Sequence, residues 1–228
     1  MWMYAVCSLV LFVCMPCFLY YKQHMRYKLA AAYKALGTLC AASLALIAAL
    51  RLEQHCWICF AALLMHSAAD YLLEFNFYMG AGFFLAGHIC YIGFFSSVFP
   101  VSVVHLIVVL CLLGIIAFLL WRWRILIGKR MPLFIVYGIV LSLSCGFAIA
   151  GLTGHTLQGQ LMAAGGALFF ISDAMLLGRL LFTASRSVDW AILITYYGAQ
   201  LLFGISCLIY FPPHTIKPSA FAGGFSVF

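Results

Sequence analysis

Three of the five acidic residues, Asp70, Glu74 and Asp173, stand inside long apolar runs; Glu53 and Asp189 lie at the edges of such runs. A carboxylate held in hydrocarbon is expensive, so an acid at that depth is a functional candidate: it can move a proton, stabilise a cation or hold an ion. Other polar groups keep step with these acids. His66, Asp70 and Glu74 recur at i, i+4 and i+8, which lines them along one face of a helix. His88 and Tyr91 share a face with Phe84 and Phe95 in the following run. Ser172 adjoins Asp173, Arg179 follows six residues on, and Tyr196, Tyr197 and Gln200 cluster in the last run. Paired acids with a histidine suit general acid–base catalysis. Plainer roles stand beside this one: Glu74 is near enough to a helix end to snorkel, His66 and His105 suit structural hydrogen bonding, and the tyrosines suit an interfacial belt.

The elements that must position these groups follow from composition. The chain has 228 residues, 67% hydrophobic and 7% charged, with a mean hydropathy of +1.15; so few charges cannot cover a water-facing surface. Apolar runs of spanning length fall at about 2–21, 31–50, 57–77, 81–99, 102–121, 132–151, 158–181 and 189–211. The expectation is a single all-α membrane domain over 1–228, a bundle of about eight transmembrane helices with short, antiparallel connections. The first run lacks a basic n-region and is followed by Lys22, Arg26 and Lys28, so it reads as a retained span rather than a cleaved signal. Stripes of small residues, Ser142, Gly146 and Ala150 on the sixth span and Gly82 with Ala86 on the fourth, suit close helix contact.

Counting along these spans sets Asp70 about eight residues from one end of the third, His88 about seven from the start of the fourth and Asp173 about eight from the end of the seventh. At 1.5 Å per residue, all three sit roughly 10–13 Å from the same face. The strings leading to Asp70 and Asp173 also echo one another four spans apart, which predicts two four-helix halves with the aspartates facing each other.

Basic residues crowd one side. Lys22, Arg26, Lys28, Arg122, Arg124, Lys129, Arg130 and Arg186 fall in the loops after spans one, five and seven, with Lys34 and Arg179 close by; Arg51 and Lys217 are on the other side. The positive-inside rule puts the crowded side, and the acidic chamber near it, at the cytoplasmic leaflet, with both termini outside. The net charge of +7 is thereby used in orientation, and nucleic acid is not expected as a partner. The compact chain favours a bacterial cell membrane. Cys56 and Cys59 spell C-x-x-C without the βαβ setting of a redox motif, and no G-x-S-x-G marks a serine nucleophile. A metal site built from His66, Asp70, His88 and Asp173 is an alternative that lacks any close-spaced ligand motif. A second is a transporter or lipid-binding protein whose buried acids carry protons or bind substrate.

Four strings carry a resemblance: Ala69-Asp70-Tyr71-Leu72-Leu73; Phe77-x2-Gly80-x3-Phe84-x3-His88-x2-Tyr91-x3-Phe95; Gly166-Ala167-Leu168-Phe169-x2-Ser172-Asp173-x2-Leu176; and Tyr196-Tyr197-x-Ala199-Gln200-Leu201. In this order, with Lys34 ahead of them, they resemble the YhhN-like family of eight-span membrane proteins, whose animal members include lysoplasmalogenases. Ala69 stands where the family tends to have Gly, and Ala35 where it tends to have Pro. The resemblance implies hydrolysis of the vinyl ether of a lysoplasmalogen, with a lysophospholipid and the surrounding membrane lipids as partners and with no cofactor or metal. Asp70 and Asp173 would be the catalytic pair and His88 a proton relay. Tyr91, Tyr197 and Gln200 would hold substrate oxygens, and Lys34 and Arg179 would meet the phosphate. His66, Glu74, Ser172 and Tyr196 complete the candidate substrate site.

Overall fold

The computed structural model describes residues 2–51, 54–183 and 185–209; Glu53 and Lys217 lie outside the described residues. Among these it contains eight helices of three turns or more and no strand: α1 (Met3–Gln23), α2 (Tyr27–Arg51), α3 (Cys56–Leu72), α4 (Phe77–Val98), α5 (Val103–Arg122), α6 (Met131–Ala150), α7 (Leu157–Leu181) and α8 (Arg186–Leu208). Seven are long and apolar enough to cross a membrane; α3, at 17 residues, is shorter. The chain is a polytopic helical bundle.

Local chemistry explains where the helices break. Pro16 has no N–H to offer Phe12, and α1 absorbs the gap with a π-helical segment, Val10–Cys14, in which the Met15 N–H reaches the Val10 carbonyl. Between α5 and α6, Gly128 takes φ +56°, a left-handed conformation that glycine adopts without strain. The third span was expected to run to about 77 and the fourth to start near 81. Instead α3 stops at Leu72 and α4 begins at Phe77, because the Asn76 side chain accepts from the Tyr78 and Met79 N–H groups and caps α4. Asp70 therefore sits two residues from the end of its helix, shallower than counted, while His88 lies three turns into α4.

The helices pack as a closed ring in the order α2, α3, α4, α6, α7, α8, with α8 returning to α2; α1 lies outside against α2, and α5 outside against α6. Each half thus contributes three ring helices and one outrigger. His66 on α3 meets Phe169 on α7 across the ring, centroids 5.3 Å apart. That pair has the same separation along the chain as Asp70 and Asp173, as expected of two like halves.

Close approach is bought with glycine. A Cβ at Gly204 would fall 2.6 Å from the Ala41 carbonyl oxygen at the α8–α2 closure, and one at Gly146 would fall 2.5 Å from Val109 Cγ2 between α6 and α5. Gly82, expected in a helix contact, has nothing within 4 Å of such a position; on α4 the contacts are made by Gly80 and Gly87 instead. The Gly204→Ala variant should lose about 1–3 kcal/mol of stability, because the obstructing atom is backbone, whereas Gly82→Ala should stay within about 0.5 kcal/mol of the parent. Thermal unfolding of both variants in one detergent is the measurement.

Candidate functional site

A cavity of about 580 Å³ runs into the ring from the end that carries Lys22 and Arg179. Asp70 and Asp173 both line it, with Lys34, Glu74, Ser172 and Tyr196 on its polar wall. The rest is largely apolar, formed by side chains such as Phe18, Phe84, Ile116 and Leu141. Size, apolar walls and a few convergent polar groups are the properties of a small-molecule site.

Asp70 is fully buried and heavily partnered. Thr38 Oγ1 on α2 and Tyr196 Oη on α8 donate to its Oδ2, at 2.5 and 2.7 Å. Lys34 Nζ, one turn before Thr38, forms an ion pair with Oδ1 at 3.3 Å. The lysine is off a hydrogen-bonding direction, so Oδ1 of this buried carboxylate keeps an open acceptor position. One cation and two hydroxyl donors fit an ionised carboxylate.

Asp173 has a different shell. Its partner is Tyr137 on α6, whose Oη donates to Oδ2 at 2.5 Å. That phenol also lies 3.5 Å from His88 Nε2, and His88 Nδ1 lies 3.1 Å from Ser144 Oγ. Because Tyr137 donates to the carboxyl, it accepts from Nε2–H, and Nδ1 then accepts from Ser144. The chain Ser144, His88, Tyr137 is thus polarised toward Asp173, and among the described residues no cation pairs with the acid. With Oδ2 occupied, a protonated Asp173 carries its proton on Oδ1.

Two ion pairs flank the mouth. Lys22 Nζ meets Glu74 Oε1 at 2.9 Å, and Arg179 Nε meets Asp189 Oδ1 at 2.7 Å. Glu74 is held by this pair rather than simply extended to water. Ser172 Oγ donates to the Ile192 carbonyl, tying α7 to α8.

The remaining candidates lie behind the cavity wall. Tyr91 Oη donates to Gln200 Oε1 at 2.7 Å, joining α4 to α8 across the ring. Tyr197 Oη donates to the Lys34 carbonyl at 3.0 Å. The His66 ring packs among Phe84, His88, Tyr91 and Phe169, with centroids 4.9–5.3 Å away. Direct contact of Tyr91, Tyr197, Gln200, His66 or His88 with a ligand therefore finds no cavity surface at these side chains. They support the groups that do line it. Among the described residues no three His, Cys, Asp or Glu side chains come together as a metal site, so the four-ligand alternative lacks its geometry. The Cys56 and Cys59 thiols face the backbone carbonyls of Cys207 and Phe203 on α8.

Thr38, Tyr137 and Ser144 escaped the sequence reading. Thr38 is one helical turn from Lys34 and could have been found as a polar stripe. Tyr137 precedes Asp173 by 36 residues, the separation of Lys34 from Asp70, and the internal echo marks it. Ser144 carries no comparable signal.

No curated protein and no solved structure matches the chain. Residues 29–207, which include the ring helices from the start of α2 to near the end of α8 and every partner of the two aspartates, match the YhhN family. The chain belongs to the YhhN family.

Proposed function

We propose that this chain is an integral membrane hydrolase that cleaves the vinyl ether of a lysoplasmalogen, with Asp173 as the acid and Asp70 as the ionised partner. The observation that carries the reading is the unlike pair on one cavity: a carboxylate with a lysine and two hydroxyl donors, and a second with one phenol and no cation. Two carboxyl groups in unlike surroundings divide acid and base roles between them.

The chemistry needs that division. Asp173 delivers its Oδ1 proton to the β-carbon of the vinyl ether, and the electron pair of the double bond forms the new C–H bond. The α-carbon becomes part of an oxocarbenium ion, which the negative charge of Asp70 stabilises as glycosidase carboxylates stabilise theirs. A water held at the open acceptor position of Asp70 Oδ1 adds to that carbon and loses its proton. The hemiacetal hydroxyl then gives its proton to the glycerol oxygen as that C–O bond breaks, leaving a fatty aldehyde and a glycerophospho-alcohol, and the proton lost by the added water restores Asp173. Lys34 keeps Asp70 charged, and Tyr196 with Thr38 orients it. His88 acts through Tyr137, and Tyr91, Tyr197, Gln200 and His66 brace the wall. The phosphate sits at the mouth, where Lys22 and Arg179 exchange Glu74 and Asp189 for the ligand. Positive-inside charge makes that mouth cytoplasmic.

Two outcomes are expected when purified protein is given 1-alkenyl lysophospholipids and aldehyde release is followed by mass spectrometry. Asp173→Asn and Asp70→Asn should each lose about 100-fold or more in kcat, the usual scale for removing an acid–base group; full activity in either excludes that residue from the chemistry. Tyr137→Phe should lose about 10-fold in kcat, the scale of one hydrogen bond to a carboxyl group, with KM little changed. A loss confined to KM would make Tyr137 a binding residue instead.

A further inference from the structure

Four cations stand together outside the aspartate chamber. Arg122, Arg124, Lys129 and Arg130 fall on the turn between α5 and α6, with no acid in that stretch of sequence. All four are exposed, and among the described residues no ion pair joins any of them to a carboxylate. Lys22 and Arg124 each lie over an aromatic ring about one turn back along the chain, Phe18 and Trp121. Lys22 is neutralised by Glu74, whereas Arg124 has no acidic partner among the described residues. Arg124 is nevertheless held in place: its Nη1 donates to the Trp121 carbonyl at 3.0 Å, and its guanidinium lies 5.5 Å from the Trp121 ring. A guanidinium carries five N–H donors, so most of them stay open.

An apolar groove leads away from this cation. It follows the outer face of the α5–α6 seam, lined by Leu113, Ala117, Ile135 and Ile139, with Trp121 and Arg124 at its basic end. Arg124 is the one charged side chain on its walls. Leu113 lies eleven residues before Arg124, about 16 Å at helical rise, which is the depth of one leaflet in a hydrocarbon core about 30 Å thick. Trp121, Ile125 and Leu126 are largely exposed around the cation, as suits side chains at the headgroup boundary. Ile116 and Leu120 stand between this groove and the aspartate chamber.

We propose that the outer groove holds a phospholipid with a net negative headgroup, its phosphate bonded by Arg124 and one acyl chain lying along the seam. A guanidinium meets a phosphate through parallel N–H···O bonds, which a point charge does not supply. Arg122, Lys129 and Arg130 add a positive field that favours a net anion over a zwitterion. The positive-inside rule assigns this end to the cytoplasmic leaflet, where anionic lipids collect. A second copy of the chain fits the groove less well: inserted in the same orientation, it brings its own four cations to the same level. The site lies outside the bundle and does not rest on the hydrolase reading.

The test is native mass spectrometry of the purified full-length protein in detergent, titrated with phosphatidylglycerol or phosphatidylcholine of identical acyl chains. Phosphatidylglycerol should bind the more tightly, and Arg124→Ala should lower its affinity about 10-fold, the scale of one charge-assisted hydrogen bond. Ala117→Trp, which fills the groove from its exposed side, should weaken phosphatidylglycerol binding with Arg124 still in place. Arg26→Ala removes one exposed positive charge from the turn between α1 and α2 and should leave the affinity unchanged. Equal affinity for the two lipids, unaltered binding in Arg124→Ala or Ala117→Trp, or an equal loss in Arg26→Ala overturns the site. A dimer that phosphatidylglycerol does not displace and that Ala117→Trp abolishes also overturns it, because a second copy then covers the seam.

Discussion

Asp70 can be buried at this depth because three helices meet around it. Its own helix is α3, Lys34 and Thr38 come from α2, and Tyr196 comes from α8. Removing one partner of a buried ion pair generally costs about 3–5 kcal/mol, since it strands the other charge. The ring closure supplies those partners. Gly37 and Gly204 let α8 lie on α2: a Cβ at Gly37 would meet the Tyr197 ring at 2.6 Å, and the Tyr197 phenol then bonds the Lys34 carbonyl. The backbone that carries the cation is thus pinned by the residue next to Tyr196. On the cavity side, Phe18 of α1 lies within 5.8 Å of the ammonium group and covers it. Small residues make the contact, the contact sets the lysine, and the lysine pairs with the carboxylate.

The second half repeats the geometry and changes the chemistry. Where α2 has a lysine ahead of Asp70, α6 has Tyr137 at the same separation ahead of Asp173. A phenol donates one hydrogen bond but brings no charge, so the same bundle surrounds two aspartates with unlike fields. Two acids sharing one low-dielectric chamber would repel if both were ionised, and one lysine neutralises one of them. Near-symmetric packing thus gives the two aspartates unlike partners, Lys34, Thr38 and Tyr196 on one and Tyr137 on the other.

Much of this was legible in the residues, for definite reasons. Apolar length announces the helices, and the eight expected runs each hold a helix, seven of them long enough to cross a membrane, with short connections between them. The shared polar chamber followed from the cost of buried acids. What failed was finer. Asn76 read as part of an apolar stretch, although as an N-cap it ends one helix pair and starts another; the depth count that levelled Asp70 with His88 was lost with it. Gly82 and Gly87 are alike as letters, and only the packing decides that the second approaches His66 while the first faces outward. Tyr137 was passed over because a tyrosine in an apolar run signals nothing by itself. Its meaning comes from the paired half.

The floor of the cavity favours chemistry in place over passage through. Beneath the aspartates the ring is filled by packed aromatic side chains: Tyr91 lies 4.7 Å from Phe203 and 5.5 Å from Phe95, and Phe95 lies 5.2 Å from Phe203. The Tyr91–Gln200 bond crosses the same level and joins α4 to α8. Opening a conduit would mean parting several fully buried rings and breaking that bond, and packed interiors change between discrete arrangements rather than yielding gradually. A chamber closed below and open above admits water and one end of an amphiphile from the same side, which is what hydrolysis of a lipid at its headgroup junction requires.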